Sequence, residues 1–159
     1  MDLPPEPFLY SSFYDKYFMQ TRAKTDVSFS EISSRLRGYS FPAVDAVVGI
    51  REGGVVPACL IAHQLRVPVY FLAINFRAPD NQPRYENPRL LEEPPALPPE
   101  GSTVLLVDEV SVTGKTFERA RACLVDYEVV TFALKGKADH TILEIEGCVN
   151  WPWSPAASR

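Results

Sequence analysis

The sequence is poor in thiols, imidazoles, positive charge and long apolar runs, and each shortage excludes something. It holds three cysteines, Cys59, Cys123 and Cys148, and two histidines, His63 and His140. Their scatter makes no recognisable zinc site. An odd number of isolated thiols suits a reducing cytoplasm rather than a disulfide framework. No apolar run approaches the roughly 20 residues that a membrane helix needs, and no signal-peptide pattern opens the chain. Lys and Arg together number 16 against 20 Asp and Glu, a net charge of −4. That balance argues against a non-specific nucleic-acid binder. Internal repeats are absent too. What remains is 159 residues, 46% hydrophobic and 23% charged, the make-up of one globular domain with its own core.

The stretch that organises the rest is Thr103–Thr116, TVLLVDEVSVTGKT. Thr103 to Val107 are β-prone and read as a strand buried on both faces. The apolar run stops at two adjacent carboxylates, Asp108 and Glu109. A turn of small and hydroxyl residues follows, with Ser111, Thr113, Gly114 and Thr116, and then an amphipathic helix over Phe117 to Leu124. Two carboxylates and a helix N-terminus therefore meet at the C-terminal end of a strand, where open α/β sheets bind ligands. A helix N-terminus offers unpaired N–H groups and partial positive charge to a phosphate. Gly114 permits close approach, the hydroxyls donate, and Lys115 brings a charge. Carboxylates one ribose away suit sugar hydroxyls, or Mg²⁺ at one remove. A ribose 5-phosphate fits the layout. Gly-Lys-Thr at 114–116 also matches the end of a Walker A loop, but that motif needs a glycine where Glu109 stands.

VLLVDEVSVTGKT resembles the signature of the type I phosphoribosyltransferases: a hydrophobic strand, two acids and a turn ending in Thr-Gly-x-Thr. The resemblance implies that Asp108 and Glu109 hold the ribose hydroxyls of phosphoribosyl pyrophosphate. It implies that Ser111, Val112, Thr113, Gly114, Lys115 and Thr116 grip its 5′-phosphate. Mg²⁺ is the implied cofactor, with Asp108 and Glu109 as its candidate ligands, directly or through ribose or water.

The remaining chain reads around that unit. The aromatic-rich stretch Phe8 to Phe18 is expected to pack as a helix or arm. Ser28-Phe29-Ser30-Glu31 is a capping-box pattern opening a helix to about Arg37, with Ile32 and Leu36 inward. Ala46 to Ile50 reads as a buried strand, Arg51-Glu52-Gly53-Gly54 as a turn, and Val56 to Leu65 as a helix with Pro57 in its first turn. This is a second strand, glycine turn and helix, so a second anion site can form beside the first. It looks like the family's pyrophosphate loop, except that Glu52 stands where the family has arginine and Arg51 lies one residue earlier. Pro68 to Ile74 is a third strand. Asn75 to Gly101 carries eight prolines and glycines and reads as a long loop. The resemblance makes it a lid from which Arg77, Arg84 and Arg89 approach pyrophosphate.

Glu128 to Leu134 reads as another strand, and Thr141 to Ile145 as a short one. In the purine branch of the family a lysine after the former bonds the base. Lys135 is the better match here and Lys137 the alternative. Val149, Asn150, Trp151, Pro152 and Trp153 resemble a base-binding segment of bacterial and archaeal purine phosphoribosyltransferases, with Val149 and Trp151 as candidate base contacts. Cys148 replaces the stacking aromatic, and Val112 replaces an aspartate common in the purine branch. Two tryptophans can equally be packing anchors.

The alternation of strands and helices predicts an α/β fold, a mostly parallel sheet with helices on both faces. The resemblance adds a small C-terminal hood. Residues 1–159 are expected to form a single domain, with a core at about 28–140 and a hood at about 141–159 joined by the N-terminal arm. The implied activity is a phosphoribosyltransferase of nucleotide salvage, transferring ribose 5-phosphate from phosphoribosyl pyrophosphate to a nucleobase, expected to be a purine, with release of pyrophosphate. The expected setting is a cytoplasmic homo-oligomer, a dimer, with no nucleic-acid or membrane partner. A non-catalytic nucleotide-binding regulator of the same fold is the alternative.

Overall fold

The computed structural model describes residues 24–75 and 85–154. The Phe8–Phe18 arm and the candidate lid arginines Arg77 and Arg84 lie outside the described residues. The chain forms two compact units. The larger is residues 30–144; the smaller comprises the described parts of 1–29 and 145–159.

In chain order the elements are β1 (Thr25–Asp26), α1 (Phe29–Gly38), β2 (Ala46–Arg51), α2 (Val55–Leu65), β3 (Val69–Asn75) and β4 (Arg89–Leu90). Then come β5 (Thr103–Ser111), α3 (Lys115–Ala122), β6 (Glu128–Gly136), β7 (His140–Leu143) and β8 (Val149–Asn150). The larger unit holds a six-stranded sheet in the order β4-β3-β2-β5-β6-β7, parallel throughout except for the antiparallel β4. The strand expected at Thr141–Ile145 is β7, which joins this sheet beside β6.

Why the sheet is covered on both sides follows from side-chain alternation. Ala46, Val48 and Ile50 of β2 share a core with Leu72, Ile74, Val104, Leu106 and, from α3, Phe117 and Ala120. Gly49 points the other way. A Cβ there would lie 2.8 Å from that of Ala58 on α2, so α2 packs closely over the opposite face. β2 is buried from Ala46 to Ile50, and Val104 to Val107 of β5 are fully buried. These are the continuous apolar runs that a strand covered on both faces requires.

The order of strands places the site. From β2 the chain steps outward to β3 and then returns to lay β5 on the other side of β2. The winding therefore reverses between β2 and β5, and the crevice at their carboxyl ends is the switch point of the sheet. In the smaller unit β1 and β8 form a two-stranded parallel pair, Thr25 beside Val149 and Asp26 beside Asn150. Asn150 Nδ2 donates to Asp26 Oδ1 at 2.8 Å.

Candidate active site

β5 is longer than its apolar run. The expected stop after Val107 is overturned: the strand continues through Asp108 and Glu109 to Ser111. Pairing explains it. β2 accompanies β5 only to Val107, opposite Gly49, whereas β6 accompanies it to Ser111, opposite Gly136. Hydrogen bonding to one neighbour suffices to keep the backbone extended after the side chains turn polar. Both carboxylates thus stand on an overhang, open on the β2 side.

The overhang is met there by the turn after β2. A Cβ on Gly53 would lie 2.7 Å from Glu109 Cγ and 3.0 Å from its Oε1, so the Glu109 side chain runs directly over Gly53. Gly54 is more confined, its missing Cβ falling 2.4 Å from Val107 O and 2.6 Å from Ile50 O. The turn then feeds α2 through Gly54 N donating to Ile50 O at 2.8 Å and Val55 N donating to Glu52 O at 3.1 Å. The Arg51–Glu52 peptide is cis. Both expected anion turns, 51–54 and 111–116, are therefore brought to one crevice.

The second turn keeps its amides available. Ser111 is buried, and its carbonyl accepts Lys137 N at 2.7 Å. Gly114 caps α3 with φ 84°, a left-handed conformation that favours glycine. Lys115 N donates to Thr113 Oγ1 at a long 3.4 Å. The backbone N–H groups of Thr113, Gly114, Thr116 and Phe117 take no protein acceptor among the described residues. This concentration of donors is what a phosphate needs. The helix begins at Lys115, two residues earlier than the apolar pattern indicates, which moves its positive end into the turn. Val112 is 57% exposed and stands out from the turn.

Electrostatically the two acids differ. Asp108 Oδ1 accepts Glu109 N at 2.8 Å. Burial pushes the Asp108 carboxyl up to about 7; that hydrogen bond lowers it, and the neighbouring Glu109 charge raises it further. No cluster of three or more His, Cys, Asp or Glu side chains is placed to hold a metal among the described residues. Asp108 and Glu109, adjacent on β5 just before the turn at 111–116, are nevertheless the donor type that suits Mg²⁺, which is commonly held by one or two carboxylates plus substrate oxygens.

Other candidate residues are distributed as follows. Lys135 lies within β6, past the expected strand end, opposite Val110 on the overhang. Arg89 belongs to β4, and its guanidinium stacks over Tyr85 at 4.4 Å. Val149 and Trp151 belong to the smaller unit. There Trp151 is buried and stacks on Trp153, ring centroids 5.7 Å apart and planes within 7°.

Two contributors escaped the sequence reading. Gly136 has φ 104°, and a Cβ on it would fall 2.1 Å from Ser111 O. Its place between two lysines at a strand end was the available signal. Glu92 reaches Arg51, Oε2 to Nη1 at 3.4 Å, and nothing in its proline-rich surroundings marks it. An open depression of about 680 Å³ bordered by Cys59, His63, Arg66 and Val69 lies by the end of α2 and the start of β3, remote from the carboxyl-end crevice.

Comparison with known proteins agrees with this architecture. Residues 30–134 match the family described as phosphoribosyl transferase domain. A purine phosphoribosyltransferase from Pyrococcus horikoshii Ot3 is similar in structure, with TM-score 0.65 and 20% identity over 87% of this chain and 99% of that one. A xanthine-guanine-hypoxanthine phosphoribosyltransferase from Helicobacter pylori superposes with TM-score 0.64 and 16% identity, covering 82% and 92%. A protein from Neisseria gonorrhoeae with bound ppGpp gives TM-score 0.63 and 21% identity, covering 85% and 92%. At these identities the likeness is one of fold.

Proposed function

The chain belongs to the phosphoribosyl transferase domain family, and from that premise we propose that it transfers ribose 5-phosphate from phosphoribosyl pyrophosphate to a purine base. In this reaction a ring nitrogen of the base bonds to C1 of the ribose, and the base's N–H proton passes to solvent. The C1–O bond breaks, and pyrophosphate leaves with the bonding pair. The observation that carries the reading is the meeting of two features in one crevice: the amides of Thr113, Gly114, Thr116 and Phe117, which take no protein acceptor among the described residues, and the Glu109 carboxylate running over a second glycine turn.

The chain's own groups act mainly by holding. The amides of Thr113, Gly114 and Thr116, with the nearby hydroxyls and Lys115, anchor the 5′-phosphate. Asp108 and Glu109 accept from the ribose diol, and their charge favours the positive sugar that develops as the bond breaks. The Arg51–Gly54 turn receives the pyrophosphate, with Arg51 supplying its charge. Fixing both ends of the donor sets C1 for attack. Asp108 and Glu109 would hold Mg²⁺, directly or through the ribose, and the ion would supply positive charge to the leaving group. Lys135 on the neighbouring strand is the candidate for the base's exocyclic oxygen, with Val149 and Trp151 as base contacts. Three unpaired cysteines suit a reducing compartment such as the cytoplasm. The described helices include none long and apolar enough to cross a membrane. A homodimer is the proposed assembly.

The test is incubation with phosphoribosyl pyrophosphate, Mg²⁺ and a panel of purine and pyrimidine bases, followed by assay for pyrophosphate. Release with a purine supports the proposal. Release only with a pyrimidine overturns the base assignment and leaves the reaction standing.

A second reading is a binding protein that does not turn over. Glu52 on the pyrophosphate turn, Val112 on the phosphate turn and Cys148 in place of an aromatic favour it. The Neisseria gonorrhoeae neighbour holds ppGpp, so that nucleotide belongs in the same panel. Saturable binding of phosphoribosyl pyrophosphate or ppGpp with no release from any base selects this reading.

A further inference from the structure

The charged pair at the Arg51–Gly54 turn joins residues far apart in sequence. Arg51 closes β2, and Glu92 follows β4. Backbone pairing brings them together. Ile74 and Asn75 of β3 pair with Leu90 and Arg89, and Leu91 N donates to Ala73 O at 2.8 Å. Ala73 is in turn the register partner of Arg51 on the other side of β3. Glu92 is thus delivered to Arg51 by the sheet, not by two long side chains wandering into contact. Its Oε2 stands 3.4 Å from Arg51 Nη1.

We infer that Glu92 sets the affinity of the turn for diphosphate, its carboxylate occupying the Arg51 guanidinium that an incoming diphosphate must take over. This rests on the reading of 51–54 as the pyrophosphate turn. Arginine presents its N–H groups as a fork that suits phosphate and carboxylate alike, so the two anions compete for one partner. The exchange is easy in energetic terms. The side chains are 49% and 65% exposed, and such pairs are weak and screened by salt. Arg89 lies on β4, two strands from β2, with its guanidinium over the Tyr85 ring. The acidic neighbour Glu52 adds to the selection against bare diphosphate, so magnesium pyrophosphate is the appropriate probe.

The experiment is calorimetric titration of magnesium pyrophosphate into the wild type, Glu92→Gln, Arg51→Ala and the double variant. Glu92→Gln is expected to bind about two- to fivefold more tightly, the scale of an exposed ion pair. That gain is expected to vanish in the Arg51→Ala background and to shrink at high salt. Unchanged or weaker binding by Glu92→Gln, with wild-type binding intact, overturns the inference and leaves the pyrophosphate turn standing. Absence of wild-type binding overturns both. A gain that persists without Arg51 also overturns it, because Glu92 then acts by general repulsion.

Discussion

Single residues separate what the fold needs from what the site needs. Asp108 carries its carboxyl up to about 7, against an ordinary 3.8, chiefly through burial. Between those values the folded protein keeps a proton that the unfolded chain gives up, so this group's contribution is fullest below about pH 4 and is lost as pH rises through 7. Asp108→Asn cannot charge. Relative to wild type it is expected to be more stable at pH 8, by on the order of 1 kcal/mol after allowance for solvent screening. The advantage should fade toward pH 4. Urea unfolding at pH 4, 6 and 8 measures it, and equal stability at every pH contradicts the burial argument. The adjacent glycines make a second contrast. Gly53→Ala collides only with the flexible Glu109 side chain, whereas Gly54→Ala collides with the carbonyls of Val107 and Ile50. The first is expected to cost less than about 1 kcal/mol of stability yet weaken phosphoribosyl pyrophosphate binding. The second should cost about 3 kcal/mol or more, as overpacking against backbone does. Melting curves and titrations on both variants decide it.

At the scale of elements, the strand–turn–helix units were legible because apolar runs, glycines and Pro57 mark them directly. The capping-box helix and the helix after the first glycine turn lie within a residue of their expected spans. The end of β5 was not legible. Polarity changes at Asp108, but strand pairing with β6 is a backbone property that side chains do not announce. β4 was hidden for the same reason: two residues, Arg89 and Leu90, pair by main chain amid prolines. The candidate acids and both turns were found by pattern, while Glu92 depended on that unannounced pairing. Because β6 alone supports the overhang, its last residue should matter to the phosphate turn. Gly136→Ala forces a methyl into Ser111 O at a positive φ. It is expected to lower stability by about 2 kcal/mol or more and to weaken binding of the 5′-phosphate. Retained affinity for ribose 5-phosphate, measured by titration, would separate the turn from its supposed support.

For the whole molecule, a ligand that binds only the folded chain must stabilise it by mass action. Phosphoribosyl pyrophosphate with Mg²⁺ at about 100 times its dissociation constant should contribute roughly 2.7 kcal/mol. For a chain of this length that corresponds to a rise of about 5–10 °C in the unfolding midpoint. Differential scanning calorimetry with donor, Mg²⁺, both and neither checks this, and no rise with both argues against the ribose 5-phosphate site. The main sheet also ends unusually briefly at its flanks, with two residues in β4 and four in β7. At the β7 border a neighbouring polypeptide seeking to continue the sheet finds a four-residue strand, and beside it the β6 edge is already occupied, Arg121 donating to Val129 O and Thr131 N donating to Asp139. Fibre-like stacking through that border is disfavoured for that reason, and the long β5 is kept in the interior between β2 and β6.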